Sequence, residues 1–165
     1  MNTLNTDQLY HEITQQPALA HDLIEQEFQN IKNIVQEVRG SFNYVLIAAR
    51  GSSDNAGRYA QYLFGINNRF QVALTTPSLF TLYTTPPELQ NTLILSISQS
   101  GMSPDIVQII KDAKKQHCTS ICITNNASSP LATASDFTIP IHAGEEKAVA
   151  ATKSYTNSLI ALAML

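Results

Sequence analysis

Cysteine is nearly absent from the 165-residue sequence: Cys118 and Cys122 are its only two. They lie in or beside an apolar stretch, and no second Cys/His pair stands at metal-ligand spacing. They read as buried reduced thiols, and no metal site is expected. Basic residues are few. Ten Lys and Arg stand against thirteen Asp and Glu, giving a net charge of −3, which argues against a nucleic-acid surface. The region before residue 43 sharpens this, with Asp7, Glu12, Asp22, Glu25, Glu27 and Glu37 against only Lys32 and Arg39. No apolar run approaches transmembrane length, and the N-terminus lacks the apolar centre of a signal peptide. No membrane partner and a cytoplasmic location are therefore expected. Repeats, low-complexity tracts and dividing linkers are missing too. What is present is 44% apolar and 14% charged, which suits a compact domain with a real core and extensive interfaces.

The first forty residues read as helical. Pro17 is placed to open a helix at its first position. Leu19, Leu23, Phe28, Ile31, Val35 and Val38 follow at helical spacing, and Gly40 ends the run. Beyond it, strand and helix signals alternate. Tyr44 to Ala49 is an apolar run of the kind buried on both faces, and a glycine turn then leads into a helix through about Phe64. Further strands are predicted at Phe70 to Leu74, Thr92 to Ile97, Ser120 to Thr124 and Phe137 to Ile141. Helices are predicted at Ser78 to Tyr83, at Pro104 to His117 and from about Ala148 to the end. The alternation implies right-handed crossovers and a parallel sheet, with ligands at the carboxyl ends of its strands.

Three polar turns fall at such ends. The most informative is Ser98-Gln99-Ser100-Gly101-Met102-Ser103, which joins a strand to a helix. Its free N–H groups and positive dipole end favour an anion, and its hydroxyls add neutral donors. With no Lys or Arg in it, the turn fits a small phosphorylated ligand. The other two turns are Ala49-Arg50-Gly51-Ser52-Ser53-Asp54-Asn55 and Ala143-Gly144-Glu145-Glu146-Lys147. Taken alone, Gly51 reads as a tight-turn glycine, and Ser52 or Asp54 as a helix cap.

Arg50-Gly51-Ser52-Ser53, the serine turn, and the segment from Ala143 through Lys153 resemble, in order, the three signature segments of sugar isomerase (SIS) domains. The nearest likeness is to the isomerase half of glucosamine-6-phosphate synthases, to SIS-type glucosamine-6-phosphate deaminases and to fructosamine deglycases. The resemblance implies an α/β three-layer sandwich around a five-stranded parallel flavodoxin-like sheet at residues 41–165, preceded by a helical extension at 1–40. It implies that Ser98, Gln99, Ser100 and Ser103 bind a sugar phosphate. Ser52 and Ser53 complete that cradle, and Val149 and Ala151 line the sugar. Gly51, Gly101 and Lys153 are further candidates, as is Arg50, whose cation could pair with phosphate or with a partner's carboxylate. The synthases usually carry Cys-Gly-Thr-Ser in the first segment and a Gly-Glu-Thr ending in the second. Here Arg50-Gly51-Ser52-Ser53 and Gly101-Met102-Ser103 keep the hydroxyls and turn the likeness toward the deaminases.

The resemblance puts the family's catalytic glutamate, ring-opening histidine and Schiff-base lysine outside this chain, in a second SIS half or later. The chain is thus expected to be the first of two SIS domains, or one member of a homodimer. Its apolar segment Ser158 to Leu165 is expected to need a partner surface. Met1 is followed by Asn2, so no glutaminase is expected before the SIS region. Locally, Glu145 and Glu146 are the candidates for proton transfer, although adjacent acids at a helix start often act as caps. Lys153, placed one to two turns inside the closing helix, reads as an ion-paired or packed stem. His142 reads as structural, and His11, His21 and His117 as surface residues. No cofactor is required for enediol chemistry. The readings left open are a deaminase/isomerase releasing ammonia from glucosamine 6-phosphate, a fructosamine-phosphate deglycase, the isomerase half of a glutamine–fructose-6-phosphate aminotransferase, and a sugar-phosphate-sensing regulatory domain without catalysis.

Overall fold

Five short runs of Ile, Leu, Val and Ala form one sheet, because strands covered on both faces need apolar side chains in both directions. The computed structural model describes residues 6–165, so residues 1–5 of the expected extension lie outside the described residues. The strands are β1 (Tyr44–Ala49), β2 (Gln71–Leu74), β3 (Thr92–Ile97), β4 (Ser120–Thr124) and β5 (Phe137–Pro140). All pair in parallel, in the order β2-β1-β3-β4-β5. This is the flavodoxin-like order, and its switch point lies between β1 and β3. The carboxyl ends of those two strands therefore flank the natural crevice.

Helices α1 (Thr6–Val38), α2 (Ser52–Asn68) and α6 (Lys153–Met164) cover one face. Their core joins Leu23, Ile31 and Ile34 of α1 to Ile47, Leu95, Ile123 and Leu162. On the other face lie α3 (Pro77–Thr81), α4 (Pro104–Lys115) and α5 (Pro130–Ala134), around Phe80, Ile94, Ile106, Ile110 and Leu131. The result is a three-layer sandwich.

Four expectations need correction. Pro17 does not open α1 but lies inside it. The missing Pro N–H is tolerated because packing of the amphipathic face holds the helix. Phe28 is 60% exposed, and Ile34 takes the place in the core that spacing had given it. The closing helix starts at Lys153 rather than near Ala148, and residues 141–152 form an irregular loop. Finally, the apolar end of α6 is covered within the chain: Ala161 and Leu162 are fully buried, and Leu159, Ile160 and Leu165 pack on the same core. The apolar residues left facing water on α1 are Tyr10, Ile13, Ile24 and Phe28. Among the described residues no helix is long and apolar enough to cross a membrane.

Candidate functional site

The turn after β3 is set by close packing. Gly101 has φ +64°, and a Cβ there would lie 2.0 Å from Ser129 Oγ and 2.4 Å from Ser129 Cβ. No other residue fits without moving the β4–α5 loop. Neighbouring groups pin the rest of the turn. The Gln99 carbonyl accepts from Asn125 N–H (3.0 Å) and Thr124 Oγ1 (3.2 Å), and the Gly101 carbonyl accepts from Leu131 N–H (3.2 Å). Inside the turn, Gly101 N–H donates to Ser98 Oγ and Met102 N–H to Ser100 Oγ. Ser103 is the N-cap residue of α4, yet its hydroxyl makes no cap bond and stays available to a ligand.

The turn after β1 brings a second helix start to the same place. Gly51, with φ +57°, is the N-cap residue of α2, so neither Ser52 nor Asp54 caps it. A Cβ at Gly51 would meet nothing within 4 Å, so what Gly51 contributes is its backbone conformation. Asp54 instead pairs with Arg58 one turn on, at 3.1 Å.

Between these turns and the start of α6 lies an open cleft of about 280 Å³. Ser52, Ser53, Ser98, Gln99, Ser100 and Ser103 line it, joined by Val149 and Ala151 from the loop and by Arg50 at its rim. All eight residues that the resemblance implied for ligand binding thus face one space. Ser154, Tyr155 and Ser158 of α6 line it as well. They are not expected from the sequence, because a helix beginning near Ala148 puts these positions well inside it rather than at its start. Two helix N-termini and a ring of hydroxyls give the cleft donors that suit a small anion bearing hydroxyls.

The irregular loop owes its shape to carboxylates. Glu146 accepts from Thr152 N–H (2.8 Å), Thr152 Oγ1 (2.9 Å), Ser154 N–H (3.3 Å) and Ser154 Oγ, and it reaches Gln99 Nε2 at 3.3 Å. It therefore caps α6 from outside the helix and ties the loop to the serine turn. Burial pushes its carboxyl upward, but the hydroxyl and amide donors outweigh this and hold it below the ordinary glutamate value. Glu12 of α1 does the same at the other end. It is 1% exposed and accepts from Lys147 N–H (2.7 Å) and Ala148 N–H (3.2 Å). Burial again pushes up, and those amides, Gln8 and the charge of Lys153 bring Glu12 below its ordinary value.

Of the proton-transfer candidates, Glu146 is engaged as this cap, while Glu145 is exposed and pairs with Lys147 at 3.2 Å. Neither lines the cleft. Lys153 is the first residue of α6 rather than one to two turns inside it; its buried Nζ donates to Gln15 Oε1 at 2.8 Å. His142 Nε2 lies 2.7 Å from Glu27 Oε1, joining the β5 end to α1. His11, His21 and His117 are exposed. Asn125, directly after β4, was not among the expected site residues. In fact it accepts from Ala143 N–H and donates to the Gly144 carbonyl, joining the third segment to β4. Cys118 and Cys122 are buried free thiols, and burial pushes Cys122 up to about 12. Among the described residues no group of three His, Cys, Asp or Glu could hold a metal ion.

The SIS domain family model matches residues 43–165. A glutamine–fructose-6-phosphate aminotransferase from Caldanaerobacter subterraneus subsp. tengcongensis is 32% identical over 161 residues, covering 93% of this chain and 26% of the relative. The chain thus spans about a quarter of the length of the curated relatives it matches. Among solved structures, a protein described as a phosphosugar isomerase from Silicibacter pomeroyi superposes with a TM-score of 0.90 at 36% identity, over 93% of this chain and 47% of its own. The C-terminal domain of glucosamine-fructose-6-phosphate aminotransferase from Francisella tularensis gives a TM-score of 0.83 at 30% identity, over 93% and 44%.

Proposed function

Since the chain belongs to the SIS domain family, we propose that it is the phosphate-binding half of an aminosugar-phosphate deaminase/isomerase acting in the cytoplasm. The reaction is glucosamine 6-phosphate plus water giving fructose 6-phosphate plus ammonia. The observation that carries this reading is the convergence of nine hydroxyl or amide side chains on one cleft beside two helix N-termini. In it, Ser98, Gln99, Ser100 and Ser103 take the phosphate, Ser52 and Ser53 close the cradle, and the Val149–Ala151 segment lies along the sugar. The cleft-lining residues include no carboxylate and no histidine. The base that moves the proton between C1 and C2 therefore comes from a second SIS domain or a second copy of this chain. The exposed Tyr10, Ile13, Ile24 and Phe28 face of α1 offers such a partner an apolar surface.

The deaminase reading is favoured by Arg50-Gly51-Ser52-Ser53 and Gly101-Met102-Ser103, which depart from the synthase pattern. A second reading, the isomerase half of a glutamine-dependent aminotransferase, is supported by the names of the relatives. Incubating the full-length protein with glucosamine 6-phosphate separates the two. Ammonia and fructose 6-phosphate appearing together support the deaminase. Glucosamine 6-phosphate made from fructose 6-phosphate only with glutamine supports the aminotransferase, and no turnover of any hexose phosphate contradicts both.

A further inference from the structure

The serine turn carries no cation, yet the cleft is not without one. Among the described residues lining it, Arg50 alone is cationic. Arg50 leaves the carboxyl end of β1, and its Nη1 donates to Asp105 Oδ2 in the first turn of α4. The ion pair joins the turn before α2 to the first turn of α4, with Arg50 lining the cleft beside it. Arg50 is 65% exposed and Asp105 16%, so the carboxylate is the more buried partner and the guanidinium the one open to solvent. A guanidinium has five N–H donors in a planar fork. One is on Asp105, which leaves others to face the space where the hydroxyls converge.

Asp105 is stabilised by the same helix N-terminus that would hold a phosphate. Two anions drawn to one helix end repel each other unless a cation stands between them. Arg50 is placed to be that cation.

We propose that Arg50 is the residue that selects a phosphate dianion over a neutral sugar, and that Asp105 is the positioning residue holding it across the cleft. This rests on the reading of the cleft as a sugar-phosphate site. With no phosphate bound, the guanidinium pairs with Asp105 alone. When a dianion enters, the guanidinium bridges carboxylate and phosphate and closes over the ligand. An unphosphorylated aminosugar gains nothing from it.

Calorimetric titration of the chain with glucosamine 6-phosphate, inorganic phosphate and glucosamine tests this. The variants are Arg50→Ala, Arg50→Lys, Asp105→Asn, the Arg50→Ala/Asp105→Asn pair and Ser100→Ala, each checked for an unchanged far-UV spectrum. Arg50→Ala is expected to weaken both phosphate ligands by about tenfold or more. Arg50→Lys recovers only part of this, because it keeps the charge and loses the fork. Asp105→Asn weakens binding by about threefold in the wild-type background but strengthens it when Arg50 is already alanine, because only the repulsion between carboxylate and phosphate is then left to remove. Equal effects of Asp105→Asn in both backgrounds would overturn the positioning role. Arg50→Ala binding like wild type while Ser100→Ala loses affinity would overturn the Arg50 assignment and leave the site reading standing. A wild-type chain that binds neither phosphate ligand would overturn the site reading and the clasp with it.

Discussion

The serine turn and the loop at residues 143–152 border the same cleft but are held in opposite ways. The turn is fixed by sterics and backbone: Gly101 is wedged against Ser129, and neighbouring donors occupy the Gln99 carbonyl. The Ser98 and Ser100 oxygens accept amides of the turn, which leaves their O–H donors and the whole Ser103 hydroxyl for a ligand. The loop has no regular structure, and ionised side chains fix it instead, with Glu12 on its Lys147 and Ala148 amides and Glu146 on Thr152 and Ser154. One wall of the cleft thus rests mainly on sterics and backbone bonds, while the other depends on two carboxylates staying charged.

The sharpest way to break this contrast is at Gly101. A methyl group there must displace Ser129 and also adopt φ +64°, at a cost of roughly 2–5 kcal/mol. Chemical denaturation of Gly101→Ala should show that loss, together with loss of ligand binding. Next comes Glu146→Gln, which keeps the shape but removes a charged acceptor from several donors, costing about 1.5–3 kcal/mol. The effect should be local. Hydrogen exchange should speed up at the Thr152 and Ser154 amides and stay unchanged at Gly101.

A milder perturbation is pH. Glu12 and Glu146 have carboxyls held below the ordinary value of 4.5 in the fold, so they bind protons less readily there than in the unfolded chain. Their contribution is complete above pH 4.5 and is lost as pH falls through their lowered values. Thermal unfolding of wild type should therefore lose stability below pH 4.5 more steeply than Glu146→Gln does, and parallel curves would remove Glu146 from the account. The smallest effect belongs to Glu145→Ala. Its ion pair with Lys147 is exposed on both sides, so melting temperature and affinity should not change measurably.

The same contrast separates what could be read in the sequence from what could not. Apolar runs bounded by turn residues located β1, β3 and β4 to the residue. Ser-Gly-rich turns after β1 and β3 located one wall of the cleft, because glycine and hydroxyl chemistry is local. Position 146 could be suspected as a cap, but its partners at 152 and 154 follow from where α6 starts, and no nearby residue signals that start. Glu12 was hidden further still, since a glutamate on a helix carries no mark of a loop 135 residues away. Pro17 misled for a related reason. Local proline chemistry favours a helix start, and packing along the whole of α1 overrides it.

In the proposed function, the serine turn and the loop at residues 143–152 close on one sugar phosphate. Titrating isotope-labelled chain with glucosamine 6-phosphate and following backbone amide shifts by NMR tests it most directly. The account predicts the largest shifts at Ser53, Ser100, Gly101, Ser103 and Ala151, with little change along the apolar groove lined by Val35, Phe42 and Phe70. Shifts centred on that groove, or shifts at the turn that leave Ala151 unmoved, would contradict it.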